Sequence, residues 1–127
     1  MTFRFGPESN ERWVLFAHDI YGPNSGRTKE SCQKISDDLG VSCIIPDFFR
    51  GASWPIPSPY WDNELRNDWE VLLVPYLKER GAQNVGVMGT CYGSYLTMHT
   101  SSDSFGLVTA GVSIHPSHVG MDPFNKE

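Results

Sequence analysis

Apolar positions along this chain follow two rhythms. Continuous runs, Trp13 to Ala17, Val41 to Ile45, Val85 to Met88 and Leu107 to Ile114, suit strands covered on both faces, as in a parallel sheet. Between them the spacing is helical. Cys32, Ile35 and Leu39 share one face, Lys29, Gln33, Lys34 and Asp37 lie elsewhere, and Gly40 is placed as the stop. A second helix starts from a cap at Asp62 or Asn63, carries Leu65, Trp69, Leu72 and Tyr76 with Leu73 and Leu77 alongside, and runs to Gly81. Pro75 must kink or divide it. A third helix is expected from Tyr92 to Ser101.

Strands alternating with helices predict an α/β fold, a three-layer α/β/α sandwich with a mostly parallel sheet and right-handed crossovers. Ahead of it, Phe3 to Phe5 can add at most a short edge strand. All parallel strand ends then share one face, and the ligand crevice forms where the strand order reverses. That places the loop His18 to Gly22 opposite the end of the Val85 strand. The long loop from Phe48 to Trp61, rich in aromatics and prolines, reads equally as a functional lid or as a stiff cover over the core.

Candidate chemistry centres on the end of the Val85 strand, where Gly89, Thr90, Cys91, Tyr92 and Gly93 form the pattern G-x-C-x-G. A strand, a tight turn and a helix start hold a nucleophile above the sheet edge, and glycines flank it because the backbone bends sharply and the helix packs close. Cys91 is the candidate nucleophile, since a helix amino terminus favours the thiolate. The plain alternative is a small buried hydrophobe. The N–H of Tyr92 can stabilise an oxyanion, and the N–H of Ile20 in the facing loop can be the second donor.

Several neighbours carry two readings each. Asp19 can accept a hydrogen bond from the thiol, raising its pKa against the helix effect, or make local turn bonds. Arg50 and Trp54 are candidate substrate contacts; Arg50 can clamp an anion or pair with a surface aspartate. The helix after Cys91 carries His99 and Asp103 towards the far end, whereas the last strand returns His115 and His118 to the nucleophile's face. Those two are the candidate substitute bases, although strand-end histidines are commonly ordinary loop residues. His18 starts on the same face and reads equally as a strand-end polar residue.

Composition narrows the classes. A chain of 127 residues, 39% hydrophobic, is expected to form one domain with one core. The net charge of −5 and pI near 5.3 argue against nucleic acid or an anionic membrane as partner. A small neutral or anionic metabolite fits. Three cysteines without CxxC spacing point to reduced thiols and a cytoplasmic setting, with Cys32 in the core and Cys43 as buried filler. Neither a signal peptide nor a membrane span is expected. The cysteines and histidines lack metal-ligand spacing and no phosphate loop or dinucleotide fingerprint appears, so no cofactor is expected.

Three segments together resemble the dienelactone hydrolase family of the α/β-hydrolase fold: His18-Asp19-Ile20-Tyr21-Gly22, Ile45-Pro46-Asp47-Phe48-Phe49-Arg50-Gly51, and Gly89-Thr90-Cys91-Tyr92-Gly93. The resemblance covers roughly residues 13 to 115. It implies hydrolysis of a small-molecule ester or lactone through a thioester on Cys91, with Ile20 and Tyr92 as oxyanion donors. It also matches Asp19 to the acidic residue facing the nucleophile and Arg50 to a substrate-carboxylate contact. The fold's triad order is nucleophile, acid, histidine, and the family places the last two after further strands. Cys91 has 36 residues after it, so the chain reads as the nucleophile-bearing part of a truncated domain. An exposed sheet edge is then expected to pair with another chain, including a second copy.

Two other readings are open. One is a non-catalytic binding or assembly protein that keeps the elbow and pocket. The other is a class I glutamine amidotransferase-like fold, ranked low because that family resembles G-x-C-x-G followed closely by glutamine, whereas Ser94 and Tyr95 stand here.

Overall fold

The computed structural model describes residues 2–51, 63–102 and 107–114, and every structural statement below concerns those residues. Five strands form one sheet in the order β1-β3-β2-β4-β5. They are β1 (Thr2–Phe5), β2 (Arg12–Ala17), β3 (Ser42–Pro46), β4 (Asn84–Thr90) and β5 (Val108–Ile114). The expected parallel sheet is present, since β2 pairs in parallel with β3 and β4, and β4 with β5. Strand β1 adds the antiparallel edge, with Phe3 opposite Ile45 and Phe5 opposite Cys43. The strand order reverses at β2, and the crevice edge therefore lies between the ends of β2 and β4.

Alternation of side chains across the sheet divides the core in two. Trp13, Leu15 and Ala17 of β2, Ile44 of β3 and Val85 and Val87 of β4 face a large cluster with Leu65, Trp69, Leu77, Tyr92 and Leu96. Phe16, Cys43 and Ile45 face the other way and pack with Cys32 of helix α1 (Thr28–Leu39). Helices thus cover both faces of the sheet, and the layered fold expected from the chain's periodicity is observed.

Helix α1 meets the sheet through Cys32 and Ser36, an i, i+4 pair. Leu39, expected on that face, is 59% exposed. Ser36 instead lies against the loop before β2, where a side chain at Gly6 would collide with its Oγ. Gly40 ends the helix in the left-handed conformation, φ 66°, and donates its N–H to Ser36 O.

The second expected helix is divided at Pro75, and in three. Helix α2 (Asn63–Asn67) leads into a π-helical turn, Asp68–Leu73, and then α3 (Val74–Glu79). The Val74 N–H reaches back to Trp69 O across the wide turn. Pro75 then falls at the start of α3, where a missing N–H costs little. The wider turn also changes the buried stripe to Leu65, Trp69, Leu73, Val74 and Leu77, and leaves Leu72, expected in the core, 60% exposed. Helix α4 (Tyr92–Ser102) packs nearly all round, with Ser94, Thr97 and Thr100 buried beside Tyr95 and Leu96. Their hydroxyls are satisfied by Gly89 O, Gly93 O and Leu96 O.

Candidate active site

Strand β4 ends at Thr90 and α4 begins at Tyr92, so Cys91 alone makes the turn. Its φ is +55°, a left-handed backbone that a non-glycine residue adopts only when its surroundings hold it there. The surroundings are visible. Cys91 N–H donates to Ile114 O at 3.1 Å, and Cys91 O accepts from Ser94 N–H at 3.0 Å. A side chain at Gly89 would run into the Gly93 carbonyl, and one at Gly93 into the carbonyls of Ala17 and His18. Both glycines of the motif are therefore needed for close approach. Gly93 presses the first turn of α4 directly against the end of β2.

The three cysteines differ in setting. Cys32 and Cys43 are fully buried, whereas Cys91 is half-buried. A hydrogen bond with the Cys32 thiol, followed by burial, pushes the Cys43 thiol far above the usual range and keeps it protonated. Both are filler, as their positions in the sequence imply.

The loop after β2 is built on Asp19 and His18. Asp19 is half-buried and engaged with its own loop: one carboxylate oxygen accepts from Tyr21 N–H at 2.9 Å and the other from the Ser25 hydroxyl at 2.7 Å. Its carbonyl accepts from Gly22 N–H. Tyr21 and Gly22 thus donate to Asp19, while the N–H of Ile20, between Asp19 and Tyr21, has no acceptor among the described residues. Ile20's side chain packs on the large core cluster.

His18 is fully buried, and neither of its nitrogens is idle. Nδ1 donates to Asp19 O at 2.7 Å, and Nε2 accepts the Phe48 N–H at 3.0 Å. This pair of bonds defines one neutral tautomer. Burial lowers the His18 pKa despite the opposing pull of the Asp19 carbonyl and of the Asp47 and Asp19 carboxylates. The residue joins the loops after β2 and β3, a role that neither reading of this position, a polar group on the nucleophile's face or an ordinary strand-end residue, foresaw. The available signal was its place as the first residue after an apolar strand.

Asp47 organises the loop after β3 in the same way. Its carboxylate accepts from Phe49 N–H at 3.0 Å and Gly51 N–H at 2.7 Å. Between them Arg50 is held at φ +54°, the other non-glycine residue with a left-handed backbone among those described. One Arg50 nitrogen, Nη2, bonds both oxygens of Asp68 at 2.8 Å. The aspartate pairing weighed from the sequence is the one present. Phe49 sets its ring edge against His18 at 4.7 Å and lies 5.3 Å from Tyr92. Loops after β2, β3 and β4 are thereby joined by His18, Phe49 and Tyr92.

His99 is buried on α4 with its ring edge-on to Tyr95, beyond the elbow, as its position predicted. Trp54, Asp103, His115 and His118 lie outside the described residues. Among the described residues no cluster of three His, Cys, Asp or Glu side chains is arranged to hold a metal, and no helix is long and apolar enough to cross a membrane.

The arrangement has counterparts. No curated protein sequence matches the chain. Among solved structures, a dienelactone hydrolase-like promiscuous phosphotriesterase from metagenomic libraries matches with a TM-score of 0.59 at 18% identity. That match covers 87% of this chain and 49% of the other, so the chain spans about half the length of that structure. At this identity the likeness concerns the fold. The family model for dienelactone hydrolases matches residues 1–126, and the chain belongs to the dienelactone hydrolase family.

Proposed function

We propose that the protein is the nucleophile-bearing part of a hydrolase acting on a small-molecule ester or lactone, with Cys91 as nucleophile. The observation that carries this reading is the left-handed backbone of Cys91 on a strand–turn–helix corner whose two glycines admit nothing larger. The Cys91 thiolate attacks the carbonyl carbon, forming a C–S bond and an oxyanion facing the N–H groups of Ile20 and Tyr92. The C–O bond then breaks, the alcohol leaves with a proton, and water hydrolyses the thioester to the acid and free thiol. Proton transfer needs a base. His115 or His118 is assigned that role because β5, which they follow in sequence, ends with Ile114 O bonded to Cys91 N–H. Asp19, engaged in its own turn, acts by shaping the donor loop. Arg50 and Trp54 are assigned to the substrate side.

Three free cysteines fit a reducing, cytoplasmic compartment. The outer strand β5 supports a polypeptide partner that extends the sheet, a second copy included. Its sequence, VTAGVSI, has no charge and no proline to block edge pairing, and Val112 is 52% exposed.

The deciding experiment incubates the chain with a small aryl ester and follows both release of the phenol and the mass of the protein. Acylation confined to the peptide containing Cys91, and absent from Cys91→Ala, is the expected result. Ester hydrolysis that survives Cys91→Ala overturns the assignment. Specific ligand binding with no acylation would instead favour the non-catalytic reading.

A further inference from the structure

Charge is missing from one end of the sheet. Of the chain's 10 Lys and Arg and 15 Asp and Glu, the stretch from Gly81 to Met121 holds Asp103 alone. Buried strands account for part of this, but the depletion extends to positions that solvent reaches. Six of the seven residues of β5 are exposed, Val112 at 52% and Ile114 at 42%, and Met98 is exposed on α4, the helix packed against β5. An uncharged, partly apolar surface has the composition of an interface centre.

The two edges of the sheet contrast. Strand β1 has four residues, Arg4 among them, and the Lys29 ammonium sits 3.7 Å from the centre of its Phe3 ring. Such charges discourage another strand from pairing. Strand β5 has none. With one edge guarded and the other open, an assembly built through β5 closes at two copies.

Backbone direction sets how the second copy would pair. Ile114 O accepts the Cys91 N–H, so that carbonyl points inwards. Ala110 to Ile114 pair regularly with Gly86 to Thr90, and the register shift falls before them. By alternation Ala110, Val112 and Ile114 bond to β4, while Gly111 and Ser113 direct their N–H and C=O groups outwards. The side chains alternate as well. Gly111 lies under α4, where a Cβ would meet Ser101 Oγ at 3.0 Å, and Ala110, Val112 and Ile114 face the opposite side.

An antiparallel copy centred on Gly111 therefore makes a hydrogen-bonded pair at the axis. Ala110 then stands opposite Val112, and Thr109 opposite Ser113, so apolar meets apolar and hydroxyl meets hydroxyl. A copy centred on Ala110 or Val112 instead puts Gly111 opposite a hydroxyl residue and has no bonded pair at its axis.

We propose that β5 pairs with β5 of a second copy of this chain, antiparallel about a two-fold axis at Gly111, so that two chains share one continuous sheet. This deepens the reading of β5 given above and rests on it; the chemistry of Cys91 plays no part.

The test is sedimentation equilibrium of the chain from micromolar to millimolar concentration. A reversible monomer–dimer equilibrium without larger species is expected. Val112→Lys alters an exposed side chain and sets an ammonium against the partner's Ala110. Because the axis repeats the change, the dimer should weaken about a hundredfold, tenfold at each of its two sites. Register is read by mixing chains carrying Ala110→Cys with chains carrying Val112→Cys, all with Cys91→Ala, in a glutathione redox buffer. Close non-bonded strand pairs suit a disulfide, so the mixed species should exceed the half that random pairing gives. A chain that stays monomeric overturns the proposal, as does a dimer that Val112→Lys leaves intact or a disulfide population dominated by like chains. Amide exchange then separates two kinds of failure. In a monomer, freely exchanging Gly111 and Ser113 amides remove the second copy alone, whereas protected ones remove the open β5 edge as well. Cys91→Ala by itself should leave the equilibrium unchanged, which keeps the outcome apart from that of the hydrolase reading.

Discussion

His18 Nε2 accepts the Phe48 N–H at 3.0 Å, so a neutral buried imidazole joins the loop that carries Ile20 to the loop that carries Arg50. The bond needs an unprotonated nitrogen. Burial lowers the folded pKa below the ordinary 6.5, and the unfolded chain therefore takes up the proton first as pH falls. This contribution to stability is fully present above pH 6.5 and declines as the pH falls below it towards the folded pKa. Chemical denaturation at stepped pH should show this decline. His18→Gln should lower stability at pH 7 and flatten the slope; an unchanged slope would remove His18 as its source.

The glycines of the elbow make a steric prediction. Gly93→Ala forces a Cβ into the carbonyls of Ala17 and His18. Those are backbone atoms at a strand end and cannot rotate away. The cost should reach or exceed the 1–3 kcal/mol typical of overpacking. Gly86→Ala is the control, because a Cβ there meets nothing within 4 Å. Its change in a urea midpoint should be small.

Much of this organisation was legible in the chain. Apolar runs mark the parallel strands: β2 and β3 are buried along most of their length, as a sheet covered on both faces requires, whereas the outer strand β5 carries its apolar run largely exposed. The G-x-C-x-G pattern marks the elbow because close approach admits only glycine. What was not legible depends on backbone register. Leu72 and Leu73 are indistinguishable by helical spacing, and only the π turn ahead of Pro75 decides that Leu73 is buried and Leu72 exposed. Leu39 loses its expected place to Ser36 for a related reason: the partner of α1 includes a loop glycine far away in sequence. The readings of Asp19 and Arg50 turned on which neighbour each would reach, and local turn bonds and Asp68 are the neighbours present.

That register difference is measurable. Trp69 is fully buried opposite the sheet, and Trp69→Ala should cost about 3–5 kcal/mol as a large core deletion. Leu72→Ala, three residues on, should change stability by no more than about 0.5 kcal/mol because it removes an exposed side chain. Equal effects in a denaturant series would contradict the π-helical register.

Thiol accessibility separates the three cysteines. Cys32 and Cys43 are fully buried and share a hydrogen bond that keeps Cys43 protonated, while Cys91 is half-buried at a helix amino terminus. A disulfide reagent acts on thiolates it can reach. The native chain should therefore show one fast-reacting thiol and two that react only at the rate of unfolding. In denaturant all three should react together. Cys91→Ala should abolish the fast phase and leave the slow pair, and Cys32→Ala should leave the fast phase intact. If the fast thiol persists in Cys91→Ala, the elbow does not present its cysteine to solvent as the left-handed corner requires, and the nucleophile assignment fails with it.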